Sequence, residues 1–320
     1  MLAALRVVSL LLVVLPGGVS ATYPDKPLRL IVTSTPGGAV DLLGRLIGAK
    51  LGESLGQSVV VDNRPGAGGN IAAAAVAKAA PDGYTLLLCA HSPLTTNLSL
   101  YRSTGYDWRD FEPIMVVAEG GAVASVSVAS PATSVGTLLA LVKQRPGELI
   151  AASPGNGTTG HFAITELGAQ HEMRLSHVPF RGGPQAVAAL AANEVAVAFS
   201  DPGAAVPLAQ AGRIRVLAAT AQRRASAFPE VPTFAEAGLA GFQVMAWIAV
   251  VGPRGVPREV VTRLNGELRA FLADEAARRK IVELGLEPVE PTTPQAFATF
   301  LEREVARWGE RVKRAGLKIE

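Results

Sequence analysis

Apolar positions in this chain switch between two spacings, and the switching follows a regular order. "PLRLIVTS", residues 27–34, is a continuous apolar run of strand length, and "TPGG" interrupts it. Val40, Leu43, Ile47 and Leu51 then fall three and four apart, which predicts a helix over "AVDLLGRLIGAKL". "SVVVD" is a second short buried strand, "NRPGAGG" a second glycine loop and "NIAAAAVAKAA" a second helix. "PDGYTLLLCA" supplies a turn and a third strand. The order β-α-β-α-β predicts a mostly parallel sheet flanked by helices.

The same order returns further along. "GELIAAS" reads as a strand, "PGNGTTG" as a loop and "HFAITELGAQ" as a helix. "LSHVPF", "RGGPQ", "AVAALAAN" and "EVAVAFSD" repeat strand, loop, helix and strand. In each half the two glycine loops lie about one βαβ unit apart. The match is in layout and not in letters. After "RIRVLAATA", the segment "FPEVPTFAEAGLAGFQVMAWIAVVGP" carries Pro229, Pro232, Gly238 and Gly241 and reads as an irregular crossing between two domains. "PREVVTRLNGELRAFLA", "EAARRKIVELG" and "TPQAFATFLEREVARWGERVKRAG" are amphipathic helices expected to pack on the first domain. Arg278, Arg279 and Lys280 read as solvated helix surface.

Composition narrows the function classes. The chain has 320 residues, with 30 basic against 27 acidic, and no Lys/Arg block stands out. That balance argues against a nucleic-acid partner. Cys89 is the single cysteine, so no internal disulfide can form, and its run "TLLLCA" makes it a buried small hydrophobe. At the amino end, Arg6 precedes an apolar run from Val7 to Leu15, then Pro16, Gly17 and Gly18, then Val19-Ser20-Ala21. This is the tripartite pattern of a signal peptide over residues 1–21 and predicts export to the periplasm, with a mature start near Thr22. The apolar run is too short for a comfortable membrane span.

Each half thus offers two loops at the carboxyl ends of strands, each opening a helix. Ligands bind there in open α/β sheets. Helix amino ends carry unpaired N–H groups and partial positive charge, and suit anions. Gly37, Gly38 and Gly157 are the candidates for backbone contact to a carboxylate. Ser34 and Thr35 precede the first loop; His91 and Ser92 follow "TLLLCA"; Asn156 and Gly182 sit in the second-half loops; Asp201 ends "EVAVAFSD". Ser153, Thr158 and Thr159 have two open roles, capping a helix at His161 or donating hydroxyls to the ligand. Phe180 and Arg181 complete the set, Arg181 either pairing a distal carboxylate or facing solvent. Asp41 is placed to cap its own helix, and Asn63 and Arg64 to hold their loop. His91, His161, His171 and His177 lack metal-ligand spacing and read as local hydrogen-bonders. No metal and no cofactor is expected.

One rival reading survives at this point. Gly155, Gly157 and Gly160 form G-x-G-x-x-G between a strand and a helix, as in dinucleotide sites. The next strand ends in Phe180 and Arg181 instead of an acidic residue, which leaves an NADP-dependent oxidoreductase open. Export argues against it, since nicotinamide cofactors are largely cytoplasmic. An exported hydrolase lacks a G-x-S-x-G elbow here.

The run "IVTSTPGGAVDLLGRLIGAKLGESLGQSVVVDNRPGAGGNIAAAAVAKAAPDGYTLLL" resembles the amino half of the tripartite tricarboxylate transporter solute-binding proteins, the Bug receptors. "ASPGNGTTGH", "HVPFRGGPQAVAAL", "FPEVPTFAEAGL" and "TPQAFATFLEREVARW" continue the likeness in order over nearly all of the mature chain. The resemblance implies a two-domain periplasmic-binding-protein fold of type II, crossed twice. Its domains would be 22–124 plus 247–320, and 125–246, with the ligand cleft between them. It also implies capture of a small organic acid through backbone amides and bound water, delivery to integral-membrane transporter subunits, a monomeric state and no chemistry. Ser34 and Thr35 stand where an aromatic is common, Leu98 where proline is usual, and Phe180 where tyrosine is usual. Those departures put the family's familiar ligands in doubt for this cleft.

Overall fold

The computed structural model describes residues 23–318. The signal-peptide expectation for 1–21 lies outside the described residues. The chain opens as its apolar rhythm predicts, with β1 (Leu28–Val32), α1 (Ala39–Leu55), β2 (Val59–Asn63), α2 (Asn70–Ala77) and β3 (Thr85–Ala90). A one-turn helix, α3 (Asn97–Leu100), precedes β4 (Phe111–Gly121), which runs through Ala122 into β5 (Val123–Ser127). The next unit comprises α4 (Val135–Gln144), β6 (Ile150–Ser153), α5 (Thr159–His171), β7 (Ser176–Pro179), α6 (Gly183–Ala191), β8 (Val197–Ser200), α7 (Pro202–Gln210) and β9 (Ile214–Ala219). The chain ends with β10 (Met245–Pro253), α8 (Arg258–Ala273), α9 (Glu275–Glu283), β11 (Glu287–Pro288) and α10 (Pro294–Arg314).

Two sheets result. The first has the order β11-β4-β10-β3-β1-β2 and the second β7-β6-β8-β5-β9. β1 pairs in parallel with β2 and β3, and β6 in parallel with β7 and β8. β10 is antiparallel to both β3 and β4, and β5 to both β8 and β9. β11 is antiparallel to β4, so both sheets are mixed, the first with β10 and β11 reversed and the second with β5 reversed. The chain crosses between sheets at Ala122 and again before Met245.

The irregular crossing read over 228–253 is corrected here: its last nine residues are β10, the centre of the first sheet. The apolar pattern does not mark β4, β5, α4 or α7. Packing explains the elements it does mark. Leu43, Ile47 and Leu51 of α1 are fully buried against β1 and β3, in one cluster with Leu30, Val32, Leu86 and Leu88. Gly44 and Gly48 let α1 lie close: a Cβ on Gly44 would sit 3.0 Å from Val32 Cγ2.

The last helix joins both halves. Phe297 and Leu301 of α10 pack in the first sheet's core, while Trp308 and Val312 pack in the second's. Glu304 stands between them and accepts hydrogen bonds from the indole N–H groups of Trp247 (3.0 Å) and Trp308 (3.2 Å) and from Arg307 (2.8 Å). Arg311 pairs with Glu166 of α5 at 3.2 Å and donates to the Gln243 carbonyl. No helix among the described residues is long and apolar enough to cross a membrane.

Candidate functional site: a cavity at four helix amino ends

A cavity of about 740 Å³ lies between the sheets, at the carboxyl ends of β1, β2, β3, β6, β7 and β8. The amino ends of α1, α2, α5 and α6 reach it through Gly38–Val40, Gly66–Gly69, Thr158–Gly160 and Gly182–Pro184. At α1 no side chain caps the helix, and the N–H groups of Ala39 and Val40 have no acceptor among the described residues. The N–H groups of Thr159 and Gly160 on α5, which the Thr158 hydroxyl caps at His161, and of Gly182 and Gly183 at α6 likewise have no acceptor among the described residues. These are the orphan donors that every helix start leaves. Here they open on one space.

Ten of the candidate residues line that space: Ser34, Thr35, Gly38, Ser92, Asn156, Thr158, Phe180, Arg181, Gly182 and Asp201. Five stand behind its wall: Gly37, His91, Ser153, Gly157 and His161. Their polar groups are engaged elsewhere or walled off. The Gly37 N–H donates to Asp41 Oδ2 at 2.8 Å, and the Gly157 N–H donates to His161 Nδ1 at 3.0 Å. Ser153 Oγ is 2.6 Å from His177 Nε2. His91 is fully buried and stacks on Trp308, centroids 4.3 Å apart. The glycines expected to touch ligand through N–H thus serve the loop, and the first helical residues beside them present the free donors.

Side chains hold these loops in shape. Burial opposes ionisation of Asp41, but Arg45, the Gly37 N–H and Asn63 outweigh it and keep the carboxyl below its usual range. Asn63 also donates to the Ser34 carbonyl. In the second loop His161 and His177 lie face to face, centroids 4.2 Å apart, a pairing the sequence spacing concealed. Burial pushes both down to about 4, with His177 adding to the effect on His161. The Ser34 hydroxyl, on the cavity wall, has no partner among the described residues.

The two halves touch around the cavity. Ser92 Oγ donates to the Gly157 carbonyl at 2.8 Å. A Cβ on Gly68 would meet the Asn156 carbonyl at 3.3 Å, and one on Gly182 would meet Thr35 Oγ1 at 3.4 Å. Gly203, at the start of α7, lies directly against Leu284 and Gly285. This is a closed arrangement.

A family model described as "Tripartite tricarboxylate transporter family receptor" matches residues 43–317. The chain belongs to that receptor family. BugT of Bordetella pertussis is 35% identical over 303 residues, covering 93% of this chain and 92% of BugT. The solved structure of R. palustris Rpa4515 with adipate superposes at a TM-score of 0.88 with 39% identity, covering 92% of this chain and 99% of the other. MatC from Rhodopseudomonas palustris with bound malate gives 0.83 and 29% identity, covering 91% and 100%. The receptor's fold class is that of these periplasmic binding proteins.

Nothing in these likenesses supports a dinucleotide enzyme. Gly160 of the G-x-G-x-x-G run has a local packing reason: a Cβ there would stand 2.5 Å from the Phe199 carbonyl oxygen. In this receptor the departures at Ser34, Thr35 and Phe180 fall on the cavity, whereas the one at Leu98 does not line it. Sequence reading missed Ala39, Val40, Thr159 and Gly160 as the donor positions. Their signal was available in the rule that helix starts leave N–H groups free.

Proposed function

We propose that this receptor is exported to the periplasm, captures a carboxylate with an apolar body, and hands it to integral-membrane subunits of a tripartite transporter. It acts as a monomer and performs no chemistry. The observation that carries the reading is the convergence of four helix amino ends, three of them with unpaired N–H groups, on one cavity. A carboxylate there gains charge-assisted hydrogen bonds and favourable helix ends without a buried arginine. Phe180, Ile248 and Leu286 with several prolines give the space apolar walls. The room suits a ligand of six or more carbons better than the smallest diacids. Adipate in Rpa4515 and malate in MatC are consistent with an acid of this class. The two bodies are 22–124 with the first part of 247–320, and 125–246, hinged at Ala122 and before Met245, with the end of α10 riding on the second.

Backbone recognition is testable by proline. Ala39 is the first residue of α1, where proline is tolerated, and Gly38 has the extended ψ of 160° that suits a following proline. Ala39→Pro deletes one cavity N–H and leaves the helix intact. We expect calorimetry to show carboxylate binding weakened by about 1.5 kcal/mol, roughly tenfold, at unchanged thermal stability. Arg181 is exposed at the cavity edge, so Arg181→Ala should cost about 1 kcal/mol or less. Full affinity in Ala39→Pro with abolished binding in Arg181→Ala would show that side-chain charge does the recognition. Export is checked separately, by sequencing the amino terminus of the fractionated mature protein. A Met1 start in the cytoplasm would end the receptor reading.

A further inference from the structure

Asp201 does not fit a cavity designed only for carboxylates. Among the residues that line it, Asp201 is the single acid and Arg181 the single base. Asp201 precedes α7 at the capping position, yet its side chain caps nothing. Its carboxyl makes no ion pair and accepts no hydrogen bond from another residue among the described ones, its own backbone N–H being the donor beside it. Its Oδ2 lies next to the start of α6, 3.4 Å from where a Cβ on Gly183 would be. Burial raises its affinity for a proton. A partly buried carboxylate with only its own N–H beside it has acceptor capacity left unused. The other polar groups around it are helix N–H groups and hydroxyls, which suit a ligand's acceptors. Asp201 offers acceptor oxygens and suits a donor. A plain diacid reaching this end would bring carboxylate against carboxylate.

We infer that Asp201 selects, among the carboxylates of the proposed function, those that carry a hydrogen-bond donor, a hydroxyl or an ammonium, at the end lying between α6 and α7. The receptor is then specific for hydroxy- or amino-carboxylates over unsubstituted acids of the same length. This rests on the carboxylate reading and sharpens it.

The test is calorimetry on the purified mature receptor with two matched series: succinate, malate and aspartate; adipate, 2-hydroxyadipate and 2-aminoadipate. In at least one series a donor-bearing member should bind about tenfold or more tightly than the plain diacid. The hydroxyl and ammonium arms identify which donor is used. Asp201→Ala should erase that preference, and Asp201→Asn, which adds an amide donor, should bind the plain diacid more tightly than wild type. Melting of the ligand-free variants verifies their folds. Plain diacids binding as well as their substituted partners in both series, or a preference that survives Asp201→Ala, would overturn the inference and leave the carboxylate reading standing. No binding by any of the six would overturn both.

Discussion

A Gly203→Val receptor should fold normally, bind its carboxylate roughly 5- to 150-fold more weakly, and scatter as a more open molecule. Gly203 lies in the first turn of α7, beside the second sheet, and faces the turn after α9, beside the first. A Cβ built there falls far inside contact with the Leu284 carbonyl oxygen and only 3.0 Å from its carbon. Both are backbone atoms, so no rotamer change relieves the clash. The opposite face is as tight: a Cβ on Gly285, whose φ is +75°, would stand 3.0 Å from Gly203 Cα. Separation of the two bodies is the inexpensive relief, because the clash spans the cleft and not a core. Over-packing of this kind costs about 1–3 kcal/mol. If only the closed state binds, that cost passes directly into apparent affinity, up to roughly 150-fold. Gly203 is not a lining residue, so the variant leaves the cavity's own groups untouched. Small-angle scattering with saturating ligand and calorimetry decide it. Wild-type affinity with a wild-type scattering profile would show that closure at this contact is not required. A tighter complex would exclude the hinge.

Gly157→Val is expected to act in the same way. Gly157 has φ +76°, and its added Cβ would point at Asn97 Oδ1, 2.8 Å away, and Leu100 across the interface. It would not enter the ligand's space. The sequence marks this glycine as special, and only the fold says what it faces.

That contrast holds through the molecule. The first three strands and two helices were legible because each helix buries a stripe at i, i+4 spacing, as Leu43, Ile47 and Leu51 do, and glycine loops punctuate the strands. β4 and β10 were not legible. Both lie in the sheet interior, so their residues are apolar without alternation, and Gly120 and Gly121 fall where a strand reading would stop. Pro207 inside α7 hid that helix. α10 reads as one amphipathic helix, but its two halves serve different cores. At the site the loops were legible and their donors were not. Which N–H groups stay free depends on side chains folding back, Asp41 onto Gly37 and His161 onto Gly157. Asp201 illustrates the complementary gap, since nothing in its neighbours announces an acid left without a donor from another residue.

Those same buried imidazoles should make the receptor acid-labile well above the range where carboxylates titrate. His91 has both ring nitrogens without partners and lies between Trp247 and Trp308. Burial, with Arg307 and Arg311 nearby, pushes it down to about 3. An unfolded histidine titrates near 6.5. The folded state therefore binds fewer protons than the unfolded one between pH 6.5 and about 3. Stability is complete above 6.5 and is lost as pH falls below it. Each such group contributes a slope of about 1.4 kcal/mol per pH unit. From pH 6.5 to 4.5, His91 alone removes about 2.7 kcal/mol. The stacked pair of His161 and His177, both at about 4, adds about twice as much, since both rings are neutral when folded and protonated when unfolded over this range. A total of about 8 kcal/mol matches the whole stability of many domains. Urea denaturation at half-unit pH steps measures the slope. His91→Phe keeps a ring on Trp308 and removes the titrating group. Any over-packing it introduces lowers stability equally at every pH, so the slope remains the readout. We expect about a third of the slope to vanish. An unchanged slope between pH 6.5 and 4.5 would mean that His91 gains its proton without unfolding, and that the core around Trp308 admits water.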